Sequence, residues 1–228
     1  QVAHGEIQDR SGAGLFDFQS FEAFEGSPDA ATLSVQLSNS SENVIIAADS
    51  LTVDQQFWFS FNNFAVFEID TAGGADIVEI VNTHGRDTVL KTFGGEDQVE
   101  VQNTSGPTSI ETGENSDVVT IHRISSALDI SAGYGSDTIV VANDVNSLAG
   151  IAASLIGFIT STEITGFNMN GGGVDGGKIV YETIEGMSLT LGSVDDEVTI
   201  HSTHAGATEI KSNGGADSVT VLTTSGAL

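Results

Sequence analysis

The chain has 228 residues, of which 32 are acidic and 6 are basic, so its formal net charge is −26. Six scattered Lys and Arg residues cannot form the basic surface that nucleic acids or anionic membranes require, so we expect neither partner. No apolar run reaches about 18 residues, which excludes a membrane-spanning helix. The chain lacks Cys and therefore disulfides, while 39% hydrophobic residues suffice for a buried core.

Residues 1–60 contain irregular strand-like runs at 32–37, 43–47 and 57–61, and we interpret them as degenerate coils. The aromatic run that ends there alternates, so Phe57, Phe59 and Phe61 are predicted to face the core. Trp58 would then face outward, where it either packs at an edge or stacks on a sugar or protein partner. The chain starts at Gln1 and stops at Leu228 within a repeat, so we expect a processed product or a segment of a longer protein.

A repeat of 20 or 21 residues follows, and six aspartates mark it: Asp76, Asp97, Asp117, Asp137, Asp196 and Asp217. Positions Asp+2, Asp+4 and Asp−7 are aliphatic in every copy. Asp−2 is Gly or Asn, as expected where the backbone needs a positive φ, except at Val194, so the turn at 192–195 is predicted to differ. Apolar and other residues alternate with a period of two within each unit, which predicts β-strands. Identical units of this length predict an all-β parallel β-helix (β-solenoid), right-handed by default, whose coils rise by about 4.8 Å. An antiparallel sandwich is the competing fold, but it does not require one residue type at a fixed period.

A longer period lies above the coil, because residues 61–81 align with 181–201 at an offset of 120. We expect one continuous solenoid over 1–228, with a first regular block at 61–144, an insertion at 145–163 and a second block at 164–228. Within the insertion, the apolar spacing over 145–159 favours a short flanking helix, with an apolar strand pair as the alternative.

The aspartates share the inward parity of Asp+2 and Asp+4, so their carboxylates are predicted to stack in one corner. Neighbours about 5 Å apart repel by roughly 3 kcal/mol at an effective dielectric of 20. Two arrangements offset this repulsion: backbone N–H groups of each aspartate's own glycine turn, or bridging Ca²⁺. Asp76, Asp97, Asp117, Asp137, Asp196 and Asp217 are therefore a candidate Ca²⁺ column, and no cofactor is otherwise required.

The stretch Gly133-Tyr-Gly-Ser-Asp137-Thr-Ile-Val resembles half of the nonapeptide of calcium-binding RTX solenoids, with looser versions at 73–78, 94–99 and 214–219. The longer run 164–206 resembles repeat segments of very large extracellular proteins from bacteria and algae. The resemblance implies secretion, great length and a structural or adhesive role. In RTX proteins the calcium turn recurs every nine residues, whereas here the Gly/Asp turn occurs once per coil.

Other residues point to chemistry less specifically. The pair His201-x-x-His204 is either a metal ligand pair or part of a turn, and Asn39 and Asn103 begin glycosylation sequons. A carbohydrate-active solenoid enzyme needs acids clustered with a base, whereas the six basic residues are spread along the chain. Ice binding needs an ordered Thr face, whereas the outward Asp+3 row is mixed.

We therefore expect a structural or adhesive module of an extracellular or cell-surface protein that forms a filament, surface layer or stalk, and not an enzyme. Its expected partners are other copies, other segments of the same long protein, and surface polysaccharide. A calcium-binding RTX-like module and a carbohydrate-active enzyme are the alternatives.

Overall fold

The computed structural model describes residues 6–8, 15–17, 23–25, 31–142, 155–167 and 177–228. Every element in these residues is a β-strand, and the strands form two sheets, neither of which closes on itself. Most neighbouring strands run parallel and come from successive coils, so the predicted parallel β-helix is confirmed. Across these ranges, no helix has the length and apolarity needed to cross a membrane.

In chain order the strands are β1 (Glu6–Gln8), β2 (Leu15–Asp17), β3 (Ala23–Glu25), β4 (Thr32–Gln36), β5 (Asn43–Ala47), β6 (Ser50–Val53), β7 (Phe57–Asn62), β8 (Val66–Asp70), β9 (Ile77–Ile80), β10 (Asp87–Lys91), β11 (Gln98–Val101), β12 (Thr108–Glu111), β13 (Val118–Ile121), β14 (Leu128–Ser131), β15 (Thr138–Ala142), β16 (Ile156–Ile159), β17 (Glu163–Gly166), β18 (Lys178–Glu182), β19 (Gly186–Thr190), β20 (Glu197–Ile200), β21 (Ala207–Lys211) and β22 (Ser218–Val221). Sheet 1 has the spatial order β2-β1-β4-β8-β10-β12-β14-β18-β17-β16-β20-β22, and sheet 2 has the order β21-β19-β15-β13-β11-β9-β5-β6-β7-β3.

Successive coils stack residue on residue in the regular block. Val78, Val99 and Val119 lie in one file of sheet 2, as the repeat predicted, and all three are buried. Both sheets contribute their inward-facing side chains to one hydrophobic cluster. The fixed period therefore gives a core that continues from coil to coil, because each coil buries its aliphatic side chains against its neighbours.

The segment before the regular block departs from the predicted coils. β4 and β5 form a coil, but β5, β6 and β7 form an antiparallel meander within sheet 2. Asp54 and Gln55 both have φ near +55° at the turn between β6 and β7, as tight hairpin turns require. The aromatic prediction is confirmed for Phe59 and Phe61, which are buried, and for Trp58, which is 53% exposed, whereas Phe57 is only partly buried against the core.

A second antiparallel meander, β16–β17–β18, lies in sheet 1. The predicted helix over 145–159 is wrong for its described part, because Ile156–Ile159 is strand β16; residues 143–154 lie outside the described residues. Burial alternates there, with Leu155 and Ile159 buried and Ile156 exposed, which is the period of a strand. The ring of Phe167 covers Gly157, where a Cβ would lie 2.0 Å from it.

The two superrepeats exchange their sheets. At the offset of 120, β8 corresponds to β19 and β9 corresponds to β20. However, β8 lies in sheet 1 and β19 in sheet 2, while β9 lies in sheet 2 and β20 in sheet 1. Each superrepeat follows a meander that stays in one sheet, and the two meanders lie in opposite sheets. Equivalent side chains of the two superrepeats therefore belong to opposite sheets of the solenoid.

Candidate functional site

Buried carboxylates form a hydrogen-bonded ladder at one corner of the coils. The backbone N–H of each ladder residue donates to the carboxylate of the next coil, at 2.9 Å from Glu42 to Asp76, 2.8 Å from Asp76 to Asp97, 2.9 Å from Asp97 to Asp117, 2.9 Å from Asp117 to Asp137 and 2.8 Å from Asp137 to Glu185. We call this series ladder 1. Every aspartate in it is at most 1% exposed, as their inward parity predicted.

The six predicted aspartates do not share one column. Asp196 and Asp217 lie at the starts of β20 and β22 in sheet 1, whereas ladder 1 lies at the starts of sheet 2 strands. They form a separate ladder 2, in which Leu155 donates its N–H to Asp196 at 2.8 Å and Asp196 donates to Asp217 at 2.9 Å. This separation follows from the exchange of sheets between the superrepeats.

The donors also differ from the prediction. Each carboxylate was expected to accept N–H groups of its own glycine turn, but in ladder 1 the donor is the ladder residue of the preceding coil. Only Asp196 among the described aspartates of the repeat also accepts an N–H from its own turn, that of Gly192 at 3.0 Å. That turn contains Val194 without a positive φ, in agreement with the prediction that it would differ.

The second oxygen of each carboxylate has a different environment along ladder 1. Asp76 accepts the hydroxyl of Thr71 at 2.5 Å. In contrast, the Oδ2 atoms of Asp97, Asp117 and Asp137 are buried without a hydrogen-bond partner. An unpaired carboxylate oxygen in the interior disfavours the charged form. Glu42 Oε2 is likewise buried without a partner, so unsatisfied carboxylate oxygens occur both at the start and in the middle of ladder 1.

The pKa values shift accordingly. Burial raises the pKa of Asp117 to about 6; the hydrogen bond from the Asp97 N–H opposes this shift, and the charges of Asp97 and Asp137 add to it. Burial likewise raises the pKa of Asp97 and that of Asp137. At the start of the ladder, burial raises the pKa of Glu42 to about 7, and its hydrogen bond from Ser38 opposes this.

The two glutamates that end ladder 1 escaped the sequence analysis. Both glutamates share the sequence pattern of the aspartates, because apolar residues stand at the second and fourth positions after each of them. Glu42 precedes Val44 and Ile46, and Glu185 precedes Met187 and Leu189. A search for any acid with this pattern would have found them, whereas the fixed spacing of 20 or 21 residues did not.

Glycine is required at the ladder corner because adjacent coils touch there. Gly95 has φ of +136°, and a Cβ on it would lie 1.7 Å from the carbonyl oxygen of Gly74. The prediction of positive φ at Asp−2 is confirmed there, at Gly74, at Gly215 and at Asn115, whose φ is +82°, but not at Gly135. Backbone contact between coils therefore explains the glycine signal, beyond the turn conformation alone.

The opposite corner carries a threonine ladder. The buried hydroxyl of Thr83 accepts the N–H groups of Ser105 at 3.0 Å and Gly106 at 3.3 Å in the next coil. Thr203, its equivalent in the second superrepeat, accepts two N–H groups in the same way, but at the other corner, where the chain passes from β20 in sheet 1 to β21 in sheet 2. These hydroxyls accept hydrogen bonds from backbone N–H groups of the turns, which have no partner in a neighbouring strand.

The histidine pair does not converge. His201 is exposed and stacks on Phe158 with ring centroids 6.0 Å apart, whereas His204 is buried against the edge of Tyr181. His84 occupies the equivalent position in the first superrepeat, against Phe61 and Phe67. Burial lowers the pKa of His84.

The glycosylation candidates and those basic residues that the structure describes lie at the surface. Asn39 is exposed, whereas Asn103 is half-buried and its amide donates to Asn82 at 3.0 Å. Ion pairs join Lys91 to Glu68 at 3.2 Å and Lys178 to Glu163 at 2.8 Å.

Within the described part of the chain, no group of three or more His, Asp or Glu side chains is arranged to hold a metal ion. Comparison of the chain with protein-family models, with curated proteins and with solved structures finds no match. The functional reasoning therefore rests on the fold and on its ladders.

Proposed function

We propose that the chain is a structural module of a long extracellular solenoid whose coils stack into a rod that serves as a filament, surface layer or adhesive stalk. The repetition of the same buried columns in coil after coil carries this proposal. Val219 and Val221 of β22 continue the columns in which Val198 and Ile200 of β20 are fully buried. They are 43% and 40% exposed, because none of the described coils covers them.

A further coil placed on this end would bury these aliphatic side chains and would pair with the edges of β21 and β22. The coil would come from another copy or from another segment of the same long protein, since identical columns match best. The net charge of −26 opposes side-by-side association of the exposed sheets. The repetition of the same columns in coil after coil supports a scaffold over an enzyme, which needs one coil with its own acid–base cluster.

The test compares self-association of the full chain with that of Val219→Lys/Val221→Lys, using analytical ultracentrifugation and electron microscopy over a range of concentrations. The matched control is Thr220→Lys, which places one charge on the outer face of the same strand. We expect the wild type and the control to form end-to-end rods and the double variant to remain monomeric.

A second arm appends a copy of residues 109–142 after Leu228, which continues the pattern because residue 228 aligns with residue 108 at the offset of 120. The added coils are expected to raise the melting temperature by covering β21 and β22. A chain that stays monomeric at every concentration and gains no stability from the added coils contradicts the proposal.

The unpaired Oδ2 atoms of Asp97, Asp117 and Asp137 favour a second candidate function, calcium binding. Ca²⁺ prefers carboxylate oxygens and would offset their mutual repulsion. The test is a calcium titration followed by thermal melting. If Ca²⁺ raises the melting temperature of the wild type and Asp117→Asn abolishes this rise, calcium binding is supported. An unchanged melting temperature of the wild type contradicts calcium binding.

A further inference from the structure

A groove runs along the ladder corner on the outside of the solenoid. It has a volume of about 640 Å³, and its floor contains one glycine from each of four coils: Gly73, Gly94, Gly113 and Gly133. Without side chains, these glycines leave the backbone of successive coils open to a close approach. The groove therefore follows the solenoid axis and suits an extended ligand more than a compact one.

Two exposed aromatic side chains line the groove. Tyr134 is 81% exposed and Phe93 is 48% exposed, although large aromatic side chains are usually covered. Parallel bridges connect Gly94 to Glu114 and Glu114 to Tyr134. Tyr134 therefore lies two coils, or about 10 Å, along the axis from the residue that follows Phe93.

The backbone of Phe93 is strained. Its φ is +62°, in the left-handed region that a bulky side chain rarely adopts. Positive φ recurs at this Asp−4 position in other coils, at +103° for Gly113 and +89° for Gly133, and also at +64° for Ala72 and +57° for Asn213, whose side chains are smaller. Phe93 thus keeps an exposed ring at a cost that glycine would avoid. Strain of this kind is typical of functional positions.

The polar lining indicates the chemistry of the ligand. Asp70 and Glu114 line the groove together with the amides of Gln36 and Asn39, and none of the described lining residues is basic. Carboxylates accept hydrogen bonds from hydroxyl groups, and side-chain amides both accept hydrogen bonds from them and donate to them. The carboxylates and the net charge of −26 repel an anionic polymer.

We propose that this groove binds a linear neutral polysaccharide. Phe93 and Tyr134 stack on the apolar faces of two sugar rings, and the acids and amides bind the hydroxyl groups. All of these residues belong to one chain, so the site does not depend on assembly into rods and goes beyond the proposed scaffold role.

Binding is measured by isothermal titration calorimetry on the full chain, produced without glycosylation so that Asn39 is unmodified. The probes are linear β-1,4-linked and β-1,3-linked hexaoses of glucose, with glucose as the monomer control. We expect one hexaose to bind and glucose to bind far more weakly. Tyr134→Ala is expected to lower the affinity about tenfold.

Two further variants separate the groove from the fold. Gly94→Val fills the groove, because a Cβ there meets nothing within 4 Å and its φ is ordinary. It should abolish binding without lowering the melting temperature. Its control is Gly85→Val, whose Cβ also meets nothing within 4 Å but lies outside the groove lining.

Phe93→Gly should raise the melting temperature, because it relieves the strained φ, and should weaken binding. A Phe93 retained for packing alone would instead destabilise the fold when it is removed. The proposal is overturned if neither hexaose binds, or if binding persists unchanged in Tyr134→Ala and Gly94→Val. Preferential binding of the anionic polymer alginate would also overturn it.

Discussion

Asp117 lies in the middle of ladder 1, and its replacement by Asn removes a buried charge while retaining an oxygen that accepts the N–H of Asp97. Burial raises the pKa of this carboxyl from 3.8 to about 6. Since one pKa unit corresponds to about 1.4 kcal/mol, the fold disfavours the ionised carboxylate by about 3 kcal/mol.

The direction of the pH dependence follows from the sign of this shift. Because the pKa is higher in the folded state, the folded protein binds more protons than the unfolded chain between the two values. The stabilising contribution is complete below about pH 4 and is lost as the pH rises through about 6. On acidification from about pH 7 to about pH 4, the wild type should therefore gain about 3 kcal/mol of unfolding free energy relative to Asp117→Asn.

The assay is urea unfolding followed by circular dichroism over this pH range, with a chelator present. Acidification also reduces the repulsion among the acids of both proteins, and this effect cancels in the difference between them. Asp129→Asn, at an exposed position of the neighbouring coil, is the matched control. If the unfolding free energies of the wild type and Asp117→Asn differ by the same amount at about pH 7 and at about pH 4, the reasoning is refuted.

The other corners and rings give further predictions. Thr83→Val removes the acceptor of two N–H groups and should cost about 2 kcal/mol of unfolding free energy. Gly95→Ala drives a Cβ into the carbonyl of Gly74 and should cost more than about 3 kcal/mol, whereas Gly85→Ala, with open space, should cost far less. Burial lowers the pKa of His84, so acidification below pH 6.5 should destabilise the wild type relative to His84→Phe.

Urea midpoints measure all three effects. An unchanged midpoint in Thr83→Val would show that water replaces the hydroxyl at that corner. Equal midpoints for Gly95→Ala and Gly85→Ala would contradict the close contact between coils. If wild type and His84→Phe change in stability equally below pH 6.5, a group other than His84 causes the pH dependence.

Much of the regular block was predictable from local patterns. The aliphatic positions after each aspartate predicted strands, and the constant spacing predicted that Val78, Val99 and Val119 would stack. The inward direction of Asp76 followed from parity, and so did the outward direction of Trp58. These features depend on residues near in sequence and on a repeat that recurs without gaps.

The helix predicted over 145–159 shows the limit of such patterns. A short apolar run is compatible with either a helix or a strand. Residues Ile156–Ile159 form a strand because they pair with β17 and β20. The strained φ of Phe93 was equally invisible, because it depends on the contact between turns of adjacent coils.

The sequence by itself determined the coil, its period and the residues that fill its core, since alternation and spacing are local properties. Only the tertiary structure decided that the aspartates divide into two ladders and that each carboxylate accepts a backbone N–H from a neighbouring coil. The physical reason is that an antiparallel meander moves the chain along the stack without turning a corner. The phase of every later residue relative to the two sheets therefore depends on strand pairing, which residue spacing does not record.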